Sequence, residues 1–178
     1  MARQIVLLRG VNLGSRNRVA MPKLREVLTE AGFKDVETYL QSGNVVLTSK
    51  ATPKRLAHKC ERLIADQFGL DVDVVVRTHD ELAEIVRRNP LEKVAKDPKR
   101  YQVSFLAAEP DPGEVSRLVA AAVAPEKLVH IGRELYAWHP NGVGRSKLAA
   151  LLTRPGVGVT ATARNWTTVT KLLEMAGE

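Results

Sequence analysis

The chain has 178 residues, 44% of them hydrophobic and 26% charged, with a formal net charge of +7. These figures suit one compact domain or two small subdomains sharing a core, and exclude wholesale disorder, a collagen-like fibre and a low-complexity chain. The early apolar run Ile5-Val6-Leu7-Leu8 is far short of the ~20 residues a membrane helix needs and shorter than a signal-peptide core. No membrane contact is expected. Cys60 is the one cysteine, so an internal disulfide and a multi-cysteine zinc site are excluded, and a cytoplasmic setting is expected.

In chain order, Gln4–Arg9 is predicted as a strand, followed by a glycine- and asparagine-containing loop from Gly10 to Ala20. Met21-Pro22 opens a helix, because proline suits the first helical turn. Leu24, Val27, Leu28 and Ala31 recur at helical spacing, and Gly32 ends the run. Strands are expected over 36–40 and 45–48, with Ser42-Gly43-Asn44 as the turn signal between them. The next helix starts near Thr52-Pro53, puts Leu56, Cys60, Leu63, Ile64 and Phe68 on one face, and ends at Gly69. A β-branched strand over 72–76 follows. The order βαββαβ is the split arrangement of ferredoxin-like domains, with both helices on one face of a four-stranded sheet.

A third helix is expected over 80–88, and then a charged stretch from Asn89-Pro90 to Lys99-Arg100. Beyond it come a strand over 102–106, a helix over 112–123 and a hairpin of 128–131 with 134–138 about Gly132-Arg133. A short helix over 146–152 and a longer one over 165–176 finish the chain. The fold class is therefore α/β (α+β). A ferredoxin-like βαββαβ subdomain over 1–89 and a connection over 90–100 lead to a related βαββα subdomain over 101–178 with a C-terminal helix. The halves echo each other in topology without a convincing residue repeat.

The positive charge is not spread evenly. Residues 1–25 hold Arg3, Arg9, Arg16, Arg18, Lys23 and Arg25 and no acid; residues 135–173 hold Arg145, Lys147, Arg154, Arg164 and Lys171 and no acid. The remainder holds 16 bases and all 20 acids, so the whole excess lies in two distant segments. If they meet, they form one basic surface for phosphates, nucleic acid or acidic partners. If they lie on different faces, the pattern carries less.

Four loop motifs fall in or beside these segments. Arg9-Gly10-Val11-Asn12-Leu13-Gly14 lies past the carboxyl end of the first strand and leads to a helix N-terminus, where free N–H groups favour anions. The alternative is a long loop whose glycines only permit turns. Asn141-Gly142-Val143-Gly144-Arg145-Ser146-Lys147 places Ser146 as a helix N-cap. Lys147 then falls at the first helical position, where a cation opposes the helix dipole by a few tenths to ~1 kcal/mol. That cost is reasonable beside a bound anion. Neither loop has the spacing of a standard nucleotide motif. Thr160 to Trp166 is expected to begin the last helix, with Arg164 at its positive end and Trp166 as a core anchor or a shelf for a ring. Gln41-Ser42-Gly43-Asn44 is a hairpin turn, or a set of hydrogen-bond donors beside the first loop.

Other chemistries find little support. The four histidines, His58, His79, His130 and His139, lack metal-ligand spacing, so no metal site is expected. The basic loops hold no carboxylate for magnesium, and no cofactor is expected. Ser15, Ser42 and Ser146 have no sequence-local base. The βαββαβ order admits an RNA-recognition module, but the first and third strands carry no aromatic for base stacking.

Four of these segments carry a resemblance: Leu7 to Gly14, Tyr39 to Val46, Trp138 to Lys147 and Thr162-Ala163-Arg164-Asn165-Trp166. Together they resemble the bacterial domain-of-unknown-function family numbered 1697, over nearly the whole chain. The resemblance implies a cytoplasmic α/β protein with ferredoxin-like subdomains and supplies no activity, ligand or catalytic residue. The basic decoration of the first loop at Arg16 and Arg18 departs from the family's pattern.

The leading expectation is a binder of phosphate-bearing ligands, a small molecule or nucleic acid. Arg9, Asn12, Arg16, Arg18, Arg145, Lys147 and Arg164 would contact phosphates, with Ser146 beside them. Asn44, Asn141 and Asn165 would orient the ligand. Gly10, Gly14, Gly142 and Gly144 would let backbone N–H groups approach it. Two alternatives stand: an enzyme on a phosphorylated metabolite or nucleotide, with Tyr39, His139 or Ser146 as acid, base or nucleophile, and an interaction module for an acidic protein. The sequence does not fix the oligomeric state.

Overall fold

The computed structural model describes residues 1–153 and 157–178. The chain divides into two compact units, one of residues 1–84 with 172–178 and one of residues 85–171. Arg154 of the second acid-free segment lies outside the described residues.

The first unit contains β1 (Ala2–Leu8), α1 (Met21–Glu30), β2 (Lys34–Tyr39), β3 (Asn44–Ser49), α2 (Pro53–Phe68) and β4 (Val74–Thr78). Its sheet is antiparallel in the order β2-β3-β1-β4, the strand order of a ferredoxin-like domain. Alternation decides the core. Val6 faces Val45 on one side and Val76 on the other, and Leu8 faces Val74. These residues pack with Leu24 and Leu28 of α1 and with Leu56, Cys60 and Ile64 of α2. The opposite face, with Ile5, Leu7, Val46, Val75 and Arg77, is buried as well. Local chemistry sets the helix ends. Thr52 accepts from the Arg55 N–H ahead of Pro53, and Gly69 ends α2 at φ 65°.

The helix α3 (His79–Arg87) follows β4 directly. Thr78 Oγ1 accepts from the Glu81 N–H at 3.1 Å, and the Glu81 carboxylate accepts from the Thr78 N–H at 2.8 Å, a reciprocal cap.

The second unit contains β5 (Tyr101–Leu106), α4 (Pro112–Ala121), β6 (Lys127–Ile131), β7 (Glu134–Trp138), a 3₁₀ turn (Val143–Arg145), α5 (Lys147–Thr153) and β8 (Ala161–Asn165). The last helix, α6 (Trp166–Ala176), begins here. The sheet order is β6-β7-β5-β8, again antiparallel. Leu106, Leu118, Leu128, Leu135, Leu148, Leu152 and Val157 form the core under α4 and α5. On the other face, Glu134 forms an ion pair with Arg88. The Arg88 Nε also donates to the Tyr136 hydroxyl at 2.9 Å, and that hydroxyl donates to the Ile85 carbonyl.

The mixed α/β architecture expected from the sequence holds, with one addition. The segment expected to open the last helix is an eighth strand, so the second unit is also βαββαβ. The two units then match in detail. The Leu8 N–H donates to the Gly43 carbonyl, as the Leu106 N–H does to that of Arg133, each at 2.9 Å. Arg77 stands opposite Ile5 on β4, and Arg164 stands opposite Val103 on β8. Both arginines are buried, and each is followed by a residue that caps a helix: Thr78 for α3 and Asn165 for α6.

Candidate functional site

The first basic loop, residues 9–20, is closed by its own asparagines. The Asn12 carboxamide nitrogen donates to the Val19 carbonyl at 2.8 Å and to the Gln41 carbonyl at 2.6 Å, while its oxygen accepts from the Val19 N–H at 2.9 Å. The Asn12 N–H donates to the Asn17 carbonyl, and the Asn17 carboxamide donates to that of Gly10. Gly10, Asn12, Gly14 and Asn17 all have positive φ, so the backbone folds back on itself within few residues. Val11 and Val19 anchor the loop in the core. Leu13 and Arg16 bridge across the tip.

The turn from Leu40 to Gly43 lies against this loop. A Cβ on Gly43 would stand 2.6 Å from Leu8 Cβ and 2.8 Å from Val11 Cγ2, so only glycine fits there. Asn44 is buried and donates to the Tyr39 carbonyl at 3.0 Å and the Ser42 hydroxyl at 2.8 Å. Leu40, expected to close a strand, instead has φ 57° and is 56% exposed. The structure thus joins two motifs far apart in sequence, 9–20 and 40–44.

Acids from elsewhere in the chain meet some cations of the first segment. Arg3 pairs with Glu37 at 2.5 Å, Arg9 with Asp73 at 3.7 Å and Lys23 with Glu26 at 3.3 Å. Arg16 and Arg18 are exposed and form no ion pair among the described residues.

In the second unit, Asn141 to Lys147 form one tight turn. The Gly142 N–H donates to the His139 carbonyl, Gly142 takes φ 92°, and the Ser146 N–H donates to the Val143 carbonyl. Asn141, Gly144, Arg145 and Lys147 are exposed. Beneath them, His139 Nδ1 lies 3.0 Å from the Glu126 carboxylate and 2.9 Å from the Ser146 hydroxyl. That hydroxyl donates to Glu126 and accepts from the Ala149 N–H at 3.0 Å, so it caps α5. His139 is fully buried, and its Nε2 has no hydrogen-bond partner among the described residues. A serine, a histidine and a carboxylate meet here, but serine and carboxylate share one ring nitrogen. A relay needs them on opposite nitrogens. Chemically the cluster is a buried cap.

Arg164 does not stand at a helix start. It lies in β8, 7% exposed, and donates to Thr162 Oγ1 at 2.7 Å and to the Ala163 carbonyl at 2.9 Å. Burial pushes its guanidinium down to about 10. Asn165 accepts from the Thr168 N–H at 2.9 Å and caps α6. Trp166 stacks on the buried Tyr101 ring with centroids 4.9 Å apart, the core-anchor reading.

Sequence reasoning passed over Leu13, Leu40 and Glu126. A leucine between Asn12 and Gly14, with no apolar partner at helical spacing, is the one available signal for an exposed apolar tip. Nothing local marks Glu126 as the partner of His139 and Ser146. Among the described residues, no group of three His, Cys, Asp or Glu side chains could hold a metal ion. No described helix is long and apolar enough to cross a membrane.

The conserved bacterial protein SP0830 from Streptococcus pneumoniae has the same fold, with a TM-score of 0.80 and 24% identity over 98% of each chain. No match was found among curated proteins. The family model described as protein of unknown function (DUF1697) matches residues 1–136, and the chain belongs to that family.

Proposed function

We propose that the protein binds a phosphate-bearing ligand through the 9–20 loop and catalyses no reaction on it. One observation carries this reading: Arg16 and Arg18 stand exposed, without acidic partners among the described residues, on a loop that Asn12 and Asn17 already hold in shape. Guanidinium groups bind phosphate in a bidentate way, which favours arginine over lysine in this role. A preformed loop spares the ligand the cost of ordering it. Arg145 and Lys147 give the second unit a cationic turn suited to the same kind of ligand. A cytoplasmic setting fits this role.

The binding reading is favoured over an enzyme because Ser146 is committed to capping α5 and His139 is closed off from solvent. A thermal-shift panel of inorganic phosphate compounds, nucleotides and oligonucleotides tests the proposal. Stabilisation by at least one class, reduced in an Arg16→Gln/Arg18→Gln variant, is expected. No stabilisation by any of them would refute it.

A further inference from the structure

Leu13 and Leu40 are 66% and 56% exposed, on separate segments of the first unit. Each is the sequence neighbour of one end of the 2.6 Å Asn12–Gln41 hydrogen bond, so the clamp that closes the basic loop also ties together the two backbone segments that carry the leucines. Arg16, bridged to Leu13, and the exposed Arg18 lie on the same loop. Accepting the phosphate-binding reading above, we infer that the ligand is duplex DNA, with Leu13 and Leu40 as an apolar wedge at a base step and Arg16 and Arg18 on the adjacent phosphates.

The chemistry favours this occupant. Proteins that kink a duplex insert leucine or a similar apolar side chain between base pairs, beside arginines that hold the backbone. The Asn12 clamp holds the backbone beside both leucines, so ordering them at a base step costs little. Single-stranded nucleic acid is bound on platforms of several aromatics, and the one aromatic near the leucines in sequence is the half-buried Tyr39 at the end of β2. A lipid bilayer fits less well, because Ser15 and Gln41 border the leucines and would lose their hydration in hydrocarbon.

The test uses the full chain, a duplex oligonucleotide carrying 2-aminopurine, and inorganic polyphosphate as a polyanion without bases. Both leucines are exposed, so a Leu13→Ser/Leu40→Ser variant should melt like the wild type. Wild-type protein is expected to raise the 2-aminopurine fluorescence. The leucine variant should lose that rise and bind the duplex about tenfold more weakly, with polyphosphate binding unchanged. An Arg16→Gln/Arg18→Gln variant should bind both ligands more weakly. Equal duplex binding and an equal fluorescence rise by wild type and the leucine variant would overturn the wedge and leave the phosphate reading standing. Binding to phosphatidylglycerol vesicles but not to DNA would overturn the choice of ligand. Failure to bind either polyanion would overturn the duplex reading, while the thermal-shift panel of phosphate compounds and nucleotides decides the underlying one.

Discussion

The Asn12 carboxamide reaches across to the Gln41 carbonyl at 2.6 Å and ties the loop after β1 to the turn before β3. This single bond joins two motifs that the sequence separates by 29 positions. It orders the segment that carries Arg16 and Arg18, so stability and the proposed binding meet in one residue.

Asn12→Ala should therefore cost about 1–3 kcal/mol from lost hydrogen bonds, with roughly 1 kcal/mol more because Asn12 has φ 55°. Asn12→Gly keeps the backbone relaxed and loses only the hydrogen bonds. It should be the milder of the two in urea unfolding. Equal stability of wild type and Asn12→Ala would show that the clamp is dispensable.

Two glycines with similar φ should respond differently to alanine. Gly43 has φ 83° and a Cβ there would overlap Leu8 and Val11, whereas Gly142 has φ 92° and open space around it. Both substitutions carry roughly 1–3 kcal/mol of backbone strain, since Gly142 at φ 92° and ψ 150° lies in a region essentially reserved to glycine, and Gly43→Ala adds about 1–3 kcal/mol of overpacking. Thermal melts of both variants check the ordering.

Ser146→Ala removes the cap of α5 and should destabilise the fold by about 1–2 kcal/mol. It also takes one hydrogen bond from the Glu126 carboxylate. A nucleophile would behave otherwise: its loss would leave the melting temperature almost unchanged. Calorimetry of this variant separates the two roles.

Burial pushes the Cys60 thiol from its ordinary value of 9.0 up to about 12. The unfolded chain releases this proton near pH 9, while the folded chain keeps it. Stability should therefore fall as the pH rises between about 9 and 12. Cys60→Ala should flatten that part of the profile in urea titrations. A thiol reagent should label native Cys60 only as fast as the protein opens.

Much of the fold was legible because apolar residues fall in simple periods. Val6, Leu8, Val45 and Leu47 alternate, and Leu56, Cys60 and Ile64 recur at helical spacing. The strand β8 was not legible, because its buried face carries Thr162 and Arg164 rather than β-branched apolar residues. Without β8, the correspondence of Arg77 with Arg164 could not be seen. That match is one of register, and it leaves almost no residue repeat. The candidate site was legible in part. The sequence marks Arg16 and Arg18 by their acid-free surroundings. It also selects Asn12, Asn44 and Asn165 as ligand groups, and the structure gives each an internal hydrogen bond. An asparagine in a glycine-rich loop reads the same whether it serves a ligand or its own backbone. Only the fold shows which carbonyl it meets.

The most direct test of the binding claim is fluorescence anisotropy of a labelled duplex oligonucleotide at increasing salt, with wild type and the Arg16→Gln/Arg18→Gln variant. The account predicts binding at about 50 mM salt, a linear fall of log affinity with log salt, and a slope reduced by roughly two in the variant. No binding at that salt, or the same slope for both proteins, would contradict it.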